Sequence, residues 1–278
     1  MNHSFTEEEL VQLSSQVRAD IIEMIHHAHM GHPGSSLSAV ELLVALYFCT
    51  MRINPQEPHW QDRDRFILSK GHASPALYSV LARKGYFPLS DLSGFRSYGS
   101  LLTAYPDMNT PGVDMESGSL GNGLSTGAGI ALYGKLHHKN YRTYVMIGDG
   151  ELQEGMIWEA AMCAAHHSLD HLTAIIDRNQ LQINGMVKDI MSVNPLEEKW
   201  RAFGWKVFTV DGHHFPSILN ALEEIQHWTG SPCVIIADTV KGKGVSFMEN
   251  QAAWHRRDIT KEQYDQAMEE IMENGGHQ

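Results

Sequence analysis

Arg142-Thr143-Tyr144-Val145-Met146-Ile147-Gly148-Asp149-Gly150 is the stretch on which the fold turns. Arg142 to Ile147 reads as a buried strand, Gly148-Asp149-Gly150 as a tight exit from it, and a helical run starts near Glu154. A second apolar run, His171 to Asp177, reads as the next strand and delivers Asn179 at its own C-terminal end. Strand, helix and strand in succession make neighbouring parallel strands, so a carboxylate and a side-chain amide meet at one sheet edge. Open α/β sheets bind ligands at that edge. Asp149 and Asn179 are hard oxygen donors, suited to Mg²⁺ or Ca²⁺ rather than zinc. The flanking glycines let a bulky anion reach the backbone, and the helix start favours phosphate. The stretch reads as a metal-bridged diphosphate site, although Gly-Asp-Gly alone is also what an ordinary strand-to-helix turn carries.

The alternation continues on both sides. Arg65 to Leu68 reads as a strand followed by a helix from Pro75 to Lys84; Trp205 to Val210 precedes a helix from Phe215 to His227; Cys233 to Ala237 is the last buried strand. Thr6 begins an N-terminal helix with three glutamates in its first turn, where the helix dipole favours acids. Leu10, Leu13, Val17, Ile21 and Met24 then recur at helical spacing. Gly31-His32-Pro33-Gly34 breaks this helix, and Ser38 is expected to cap another through about Cys49. Leu101 to Leu120 lacks any period and reads as a long loop, of the kind often functional in compact domains. Gly118 to Gly123 opens a small-residue helix to about Leu136, and an irregular stretch from Asn179 to Val193 precedes a helix over Leu196–Phe203. The expectation is a doubly wound, mostly parallel α/β sheet flanked by helices. It forms one domain over 1–278, with a C-terminal amphipathic helix over about 260–278.

Lys+Arg 21 against Asp+Glu 33 leaves a net charge of −12, which disfavours nucleic acid and anionic membranes as partners. An anionic cofactor must find positive charge locally, from a metal, helix termini and histidines. Cys49, Cys163 and Cys233 lie far apart without metal-ligand spacing and read as reduced core residues of a cytoplasmic protein. The acidic N-terminus is no signal peptide, and no apolar run approaches membrane-spanning length. Seventeen histidines raise the idea of a metal store, but adjacent helical residues face apart, so most belong to surfaces and helix ends. Two differ: His32 and His72 each sit between glycine-containing turns at the end of an element. Asp211 and His213 read first as turn-forming or capping residues.

Gly31-His32-Pro33-Gly34, Leu68 to Ser74 (LSKGHAS), Gly118 to Gly123 (GSLGNG) and Gly148 to Gly155 (GDGELQEG) occur in the order seen in transketolases. The chain resembles the N-terminal, diphosphate-binding subunit of a split transketolase over nearly its whole length. The resemblance implies thiamine diphosphate with Mg²⁺ (or Ca²⁺) held by Asp149, Asn179 and the carbonyl of Leu181. It implies that Gly150 touches the diphosphate, that Gly118 and Leu120 contact the aminopyrimidine, and that Ile183 lies near the thiazolium. His32, His72 and His255 match histidines lining the diphosphate and the ketose donor. Glu154 and Glu159 match acids at the subunit interface. The glutamate that protonates the cofactor lies in the next domain of such enzymes. A partner subunit with the pyrimidine-binding domain is therefore implied, in a heterotetramer acting on sugar phosphates.

Two residues depart from the family pattern. The histidine expected before Pro106 is Tyr105, and the His-Gly near the end is His255-Arg256. A phenol cannot become a cation, and Arg256 can hold an anion in a bidentate contact. The expected donor is a ketose other than xylulose 5-phosphate: another ketose phosphate, or a sulfonated or acidic ketose. Three alternatives stay open: a deoxyxylulose-phosphate or dihydroxyacetone synthase, a non-catalytic regulatory paralogue, and a structural metal-binding protein.

Overall fold

The computed structural model describes residues 5–275; the first four residues and the last three of the expected C-terminal helix lie outside them. Helix α1 (Glu7–His27) is closed by a capping box, in which the Thr6 hydroxyl accepts from the Glu9 amide at 3.2 Å and the Glu9 carboxylate takes the Thr6 amide at 2.7 Å. Two short helices follow, α2 (Pro33–Leu37) and α3 (Val40–Val44), the second running into a π-turn over Ala45–Thr50. The single helix expected from Ser38 is therefore displaced. Pro33 starts helical structure earlier, with His32 at its N-cap, and the Ser38 hydroxyl is taken by Asp177 at 2.6 Å.

The remaining elements alternate. Strand β1 (Arg65–Leu68), α4 (Ser74–Lys84), α5 (Asn122–Leu136), β2 (Thr143–Gly148), α6 (Gly155–His166) and β3 (Leu172–Arg178) come first. A two-strand hairpin, β4 (Leu181–Gln182) and β5 (Gly185–Met186), leads into α7 (Val187–Met191), where an irregular stretch was expected. Then follow α8 (Leu196–Ala202), β6 (Lys206–Asp211), α9 (Phe215–His227), β7 (Cys233–Asp238) and α10 (Lys261–Gly275). The five long strands form one parallel sheet in the order β1-β2-β3-β7-β6.

Strand side chains alternate between faces, and two separate apolar cores result. Phe66, Tyr144, Met146, Ile175 and Ile235 pack with α1, α3, α4 and α9 on one face. Ile67, Val145, Ile147, Ile176 and Ile236 pack with α5, α6 and α8 on the other. Both faces being covered, the strands read as near-continuous apolar runs rather than alternating ones. Cys233 is buried in this sheet and Cys49 half-buried, but Cys163 is exposed on the outer side of α6 beside exposed Met162, against the expectation of three core cysteines. The segment after Gly94 reaches α5 without helix or strand, as its sequence suggests.

Parallel register sets the strand ends level. Gly148 lies opposite Asp177, and Arg178 opposite Asp238. The turns after β1, β2, β3 and β7 thus all leave from one edge.

Candidate active site

Two oxygen-rich turns meet first. Asp149 donates its backbone N–H to the carbonyl of Asp177 at 3.3 Å, and its carboxylate accepts from the amides of Gly150 at 2.8 Å and Gln180 at 2.5 Å. Asn179 follows directly, its amide oxygen accepting from the Leu181 amide at 3.1 Å. Burial first, and the neighbouring Asp177 charge second, push the Asp149 carboxyl up to about 7. One carboxylate, one amide oxygen and the Leu181 carbonyl supply hard donors for a cation of the Mg²⁺ or Ca²⁺ type. Among the described residues no three or more His, Cys, Asp or Glu gather to hold a metal. A cation here needs further oxygens from the molecule it bridges, and a diphosphate carries them. The residues fit such a group.

Beneath this pair lies a buried ionic knot absent from the sequence reading. Lys70, 1% exposed, pairs with Asp177, 0% exposed, and donates to the Ser35 carbonyl at 2.8 Å. Asp177 also accepts from Ser38, from Thr239 and, at 3.3 Å, from Asn179. Burial alone would raise this carboxyl; the Lys70 ammonium and these hydrogen bonds outweigh it and hold the group below its usual value. Lys241, also 1% exposed, reaches the Leu181 carbonyl at 3.2 Å, the Ser35 hydroxyl at 3.3 Å and His255 Nδ1 at 3.2 Å. Burial, with Lys70 nearby, lowers its ammonium to about 8.

Three histidines close the other side. Ring centroids lie 5.1 Å apart for His32 and His72, 5.2 Å for His72 and His255, and 5.5 Å for His32 and His255; Tyr105 stands 6.5 Å from His32. Burial, then Arg256, lowers His32 to about 4; burial, then Lys241, lowers His255 to about 3; burial, then Lys70, holds His72 well below the ordinary imidazole value. At neutral pH all three are uncharged. The positive charge expected from histidines comes instead from Lys70 and Lys241. Close approach explains two of the glycines that aim these rings. A Cβ on Gly34 would sit 2.9 Å from the Trp254 carbonyl oxygen, and one on Gly71 would sit 2.9 Å from the Ser117 backbone.

These groups line a single cleft of about 530 Å³, together with Tyr105, Gly118, Leu120, Gly150, Glu154, Ile183 and Arg256. Glu159 stands apart, exposed on α6. The Tyr105 ring lies 3.6 Å from where a Gly118 Cβ would be, so the phenol covers the start of the glycine-rich loop. Leu120 and Ile183 leave 37% and 68% of their surface open. Glu151 is buried: its carboxylate accepts from the Ser69 hydroxyl at 2.5 Å, Gly121 N at 2.8 Å and Gly148 N at 3.1 Å, tying α5 to the ends of β1 and β2. Sequence reasoning missed Lys70, Asp177, Glu151 and Lys241. The available signal was a charge directly after or within an apolar strand, in Leu68-Ser69-Lys70 and Ile176-Asp177.

Comparison with known proteins agrees with this geometry. The family described as "Transketolase, thiamine diphosphate binding domain" matches residues 10–273. The 6-deoxy-6-sulfo-D-fructose transketolase subunit SqwG of Clostridium sp. (strain MSTE9) is 45% identical over 96% of this chain and 98% of its own. An apulose-4-phosphate transketolase of Phocaeicola vulgatus, likewise named as one subunit of its enzyme, is 41% identical over 95% of each. The crystal structure of transketolase from Campylobacter jejuni superposes with a TM-score of 0.91 at 31% identity, covering 96% of this chain and 43% of that one. The chain thus spans less than half of such full-length enzymes, and nearly all of the proteins named as subunits. The chain belongs to the transketolase family of transferases, of which it is the thiamine-diphosphate-binding domain.

Proposed function

We propose that this chain is, as one domain, the cofactor-binding subunit of a two-subunit transketolase, moving a two-carbon ketol unit from an anionic ketose donor to an aldose. The observation that carries the reading is the meeting of Asp149, Asn179 and the Leu181 carbonyl with three neutral histidines at one sheet edge. Thiamine diphosphate, when bound, supplies the carbon nucleophile and electron sink for the C–C cleavage. Asp149, Asn179 and Leu181 O hold Mg²⁺ (or Ca²⁺), Gly150 lends its backbone to the diphosphate, and Lys241 adds charge beside it. Gly118, Leu120 and Ile183 offer the flat and apolar surface for the rings, with Glu154 at the outer edge.

As neutral rings the histidines offer the donor's oxygens one N–H donor and one nitrogen acceptor each. His255 takes the Lys241 ammonium at Nδ1, which leaves the ring hydrogen on Nε2. Tyr105 and Arg256 meet the donor at the mouth. The relatives named for 6-deoxy-6-sulfo-D-fructose and apulose 4-phosphate support a donor outside xylulose 5-phosphate.

A partner carrying the pyrimidine-binding domain completes the site, in a heterotetramer of the cytoplasm serving carbohydrate metabolism of the pentose-phosphate kind. Relatives named as subunits support this, as do exposed Tyr133 and Leu136 on α5 and Met156 and Met162 on α6 beside Glu154 and Glu159. No helix among the described residues is long and apolar enough to cross a membrane. Calorimetry tests the reading. Thiamine diphosphate should bind the chain mixed with its partner in a Mg²⁺-dependent way, bind the chain alone weakly, and bind neither after Asp149→Ala. Full-strength binding to the isolated chain would contradict a site completed by a second subunit.

A further inference from the structure

A largely buried chain of hydrogen bonds runs from the residues beside Lys241 away from the cleft. The Val240 amide, one residue before it, donates to His213 Nε2 at 2.8 Å. That bond requires Nε2 to be an acceptor, so the ring proton sits on Nδ1 and is donated to Glu41 at 2.9 Å. Glu41, 6% exposed within α3, takes the Arg18 guanidinium of α1 at 2.5 Å. Arg18 in turn donates from Nε to the Lys243 carbonyl at 3.0 Å, two residues after Lys241. The circuit leaves the loop at Val240 and returns to it at Lys243. Gly244 is part of the same fit: its φ is +91°, and a Cβ there would meet Arg18 at 2.8 Å. Between the two ends, Gly242 N donates to Gly34 O at 3.0 Å, so the held loop also braces the turn that carries His32.

We propose that His213, with Glu41 and Arg18, is a positioning device that fixes the Val240–Lys243 turn. Through it the device sets the Lys241 ammonium against the Leu181 carbonyl and His255. None of the three touches the cleft floor at Asp149 or the histidine cluster; they act through Lys241. The inference rests on the transketolase reading for its consequence in catalysis, but the geometry it asserts is independent of that reading. His213 is more than the turn-former its sequence suggests, although its backbone N–H does close an Asx turn on Asp211 at 2.9 Å. A pocket of about 570 Å³ opens against the relay, lined by Arg18, Glu41, His213, Lys243, Ser246 and Glu270.

Two substitutions separate the relay from general stability. His213→Gln keeps an acceptor where Nε2 stands but gives up the Nδ1 bond to Glu41, whereas His213→Asn keeps only the Nδ1 end and leaves the Val240 amide unpaired. His214→Asn serves as the control. Brief acetylation of lysines in the full chain, read by mass spectrometry, reports Lys241 against equally buried Lys70. The Asn variant should label Lys241 about tenfold faster with Lys70 unchanged, as loss of one hydrogen bond allows; the Gln variant, which keeps the Val240 bond but not the Glu41 bond, should fall between Asn and wild type, and the control should resemble wild type. With the partner, thiamine diphosphate and Mg²⁺, kcat/KM should fall about tenfold for Asn and recover in part for Gln. Equal labelling of Lys241 in all variants, or equal acceleration of Lys70 and Lys241, would overturn the relay. If wild type shows no turnover while the labelling pattern holds, the catalytic reading fails and the relay stands.

Discussion

Lys70→Met removes the cation from the buried knot while leaving the side chain's bulk. Asp177 then keeps Ser38, Thr239 and Asn179 but loses the positive charge bonded to it, in a site with no exposure. Breaking one partner out of a buried ion pair destabilises by about 3–5 kcal/mol, because a charge is left uncompensated. For a chain of this size that corresponds to a fall in Tm of about 6–20 °C. The sign of the pH dependence follows from the same change. In wild type Lys70 holds the Asp177 carboxyl below its ordinary value, so its contribution is present at neutral pH and lost only in acid. In the variant, burial without the cation raises that carboxyl above its ordinary value. Stability is then retained at low pH and lost as pH rises through the raised value. His32, His72, His255 and Asp149 also titrate differently in the folded and unfolded chain, so the quantity to read is the difference between wild type and Lys70→Met, which urea and thermal unfolding of the full chain should show widening from pH 5 to pH 8. Adding Asp177→Asn should restore about half or more of the loss, since the two sites couple directly. A loss under about 1 kcal/mol, or a deficit relative to wild type that is smaller at pH 8 than at pH 5, would refute the reasoning.

Tyr105→His restores the residue that transketolases carry before Pro106 and should shift the ratio of kcat/KM toward xylulose 5-phosphate over the preferred donor; an unchanged ratio would remove Tyr105 from donor recognition. Burial alone would raise Glu41, but Arg18 and His213 outweigh it and lower the group from 4.5 to about 2, which amounts to about 3 kcal/mol at neutral pH. Because the folded value is depressed, that stability is present above about 4.5 and lost as pH falls through about 2. Glu41→Gln should be less stable at pH 7, with its unfolding curve meeting that of wild type in acid. Curves that stay parallel down to pH 2.5 would show that the carboxylate is not held this way.

The sheet was legible because most of its strands are runs such as Tyr144-Val145-Met146-Ile147 ended by Gly or Asp, and parallel burial on both faces leaves little else to decide. The helices between strands followed from their spacing. Ser38 misled because a serine before an apolar run looks like a cap, while its hydroxyl is spent on Asp177 139 positions later in the chain. Of the site, the glycine-flanked Asp149, His32 and His72 announced themselves through local backbone demands. Lys70, Lys241 and the Arg18–Glu41–His213 relay did not, since each is defined by a partner remote in sequence, and nothing local marks a lysine that will be 1% exposed. The neutrality of the histidines is likewise a property of burial and of neighbouring cations, which spacing does not encode.

The most direct measurement is the donor half-reaction followed with ferricyanide as oxidant. The chain is mixed with its partner subunit, thiamine diphosphate and Mg²⁺, and offered phosphorylated and sulfonated ketoses. Turnover should need both chains, prefer an anionic ketose other than xylulose 5-phosphate, and disappear with Asp149→Ala. A stable complex holding the cofactor yet turning over no ketose would contradict it, and would leave the chain a binding subunit without the chemistry.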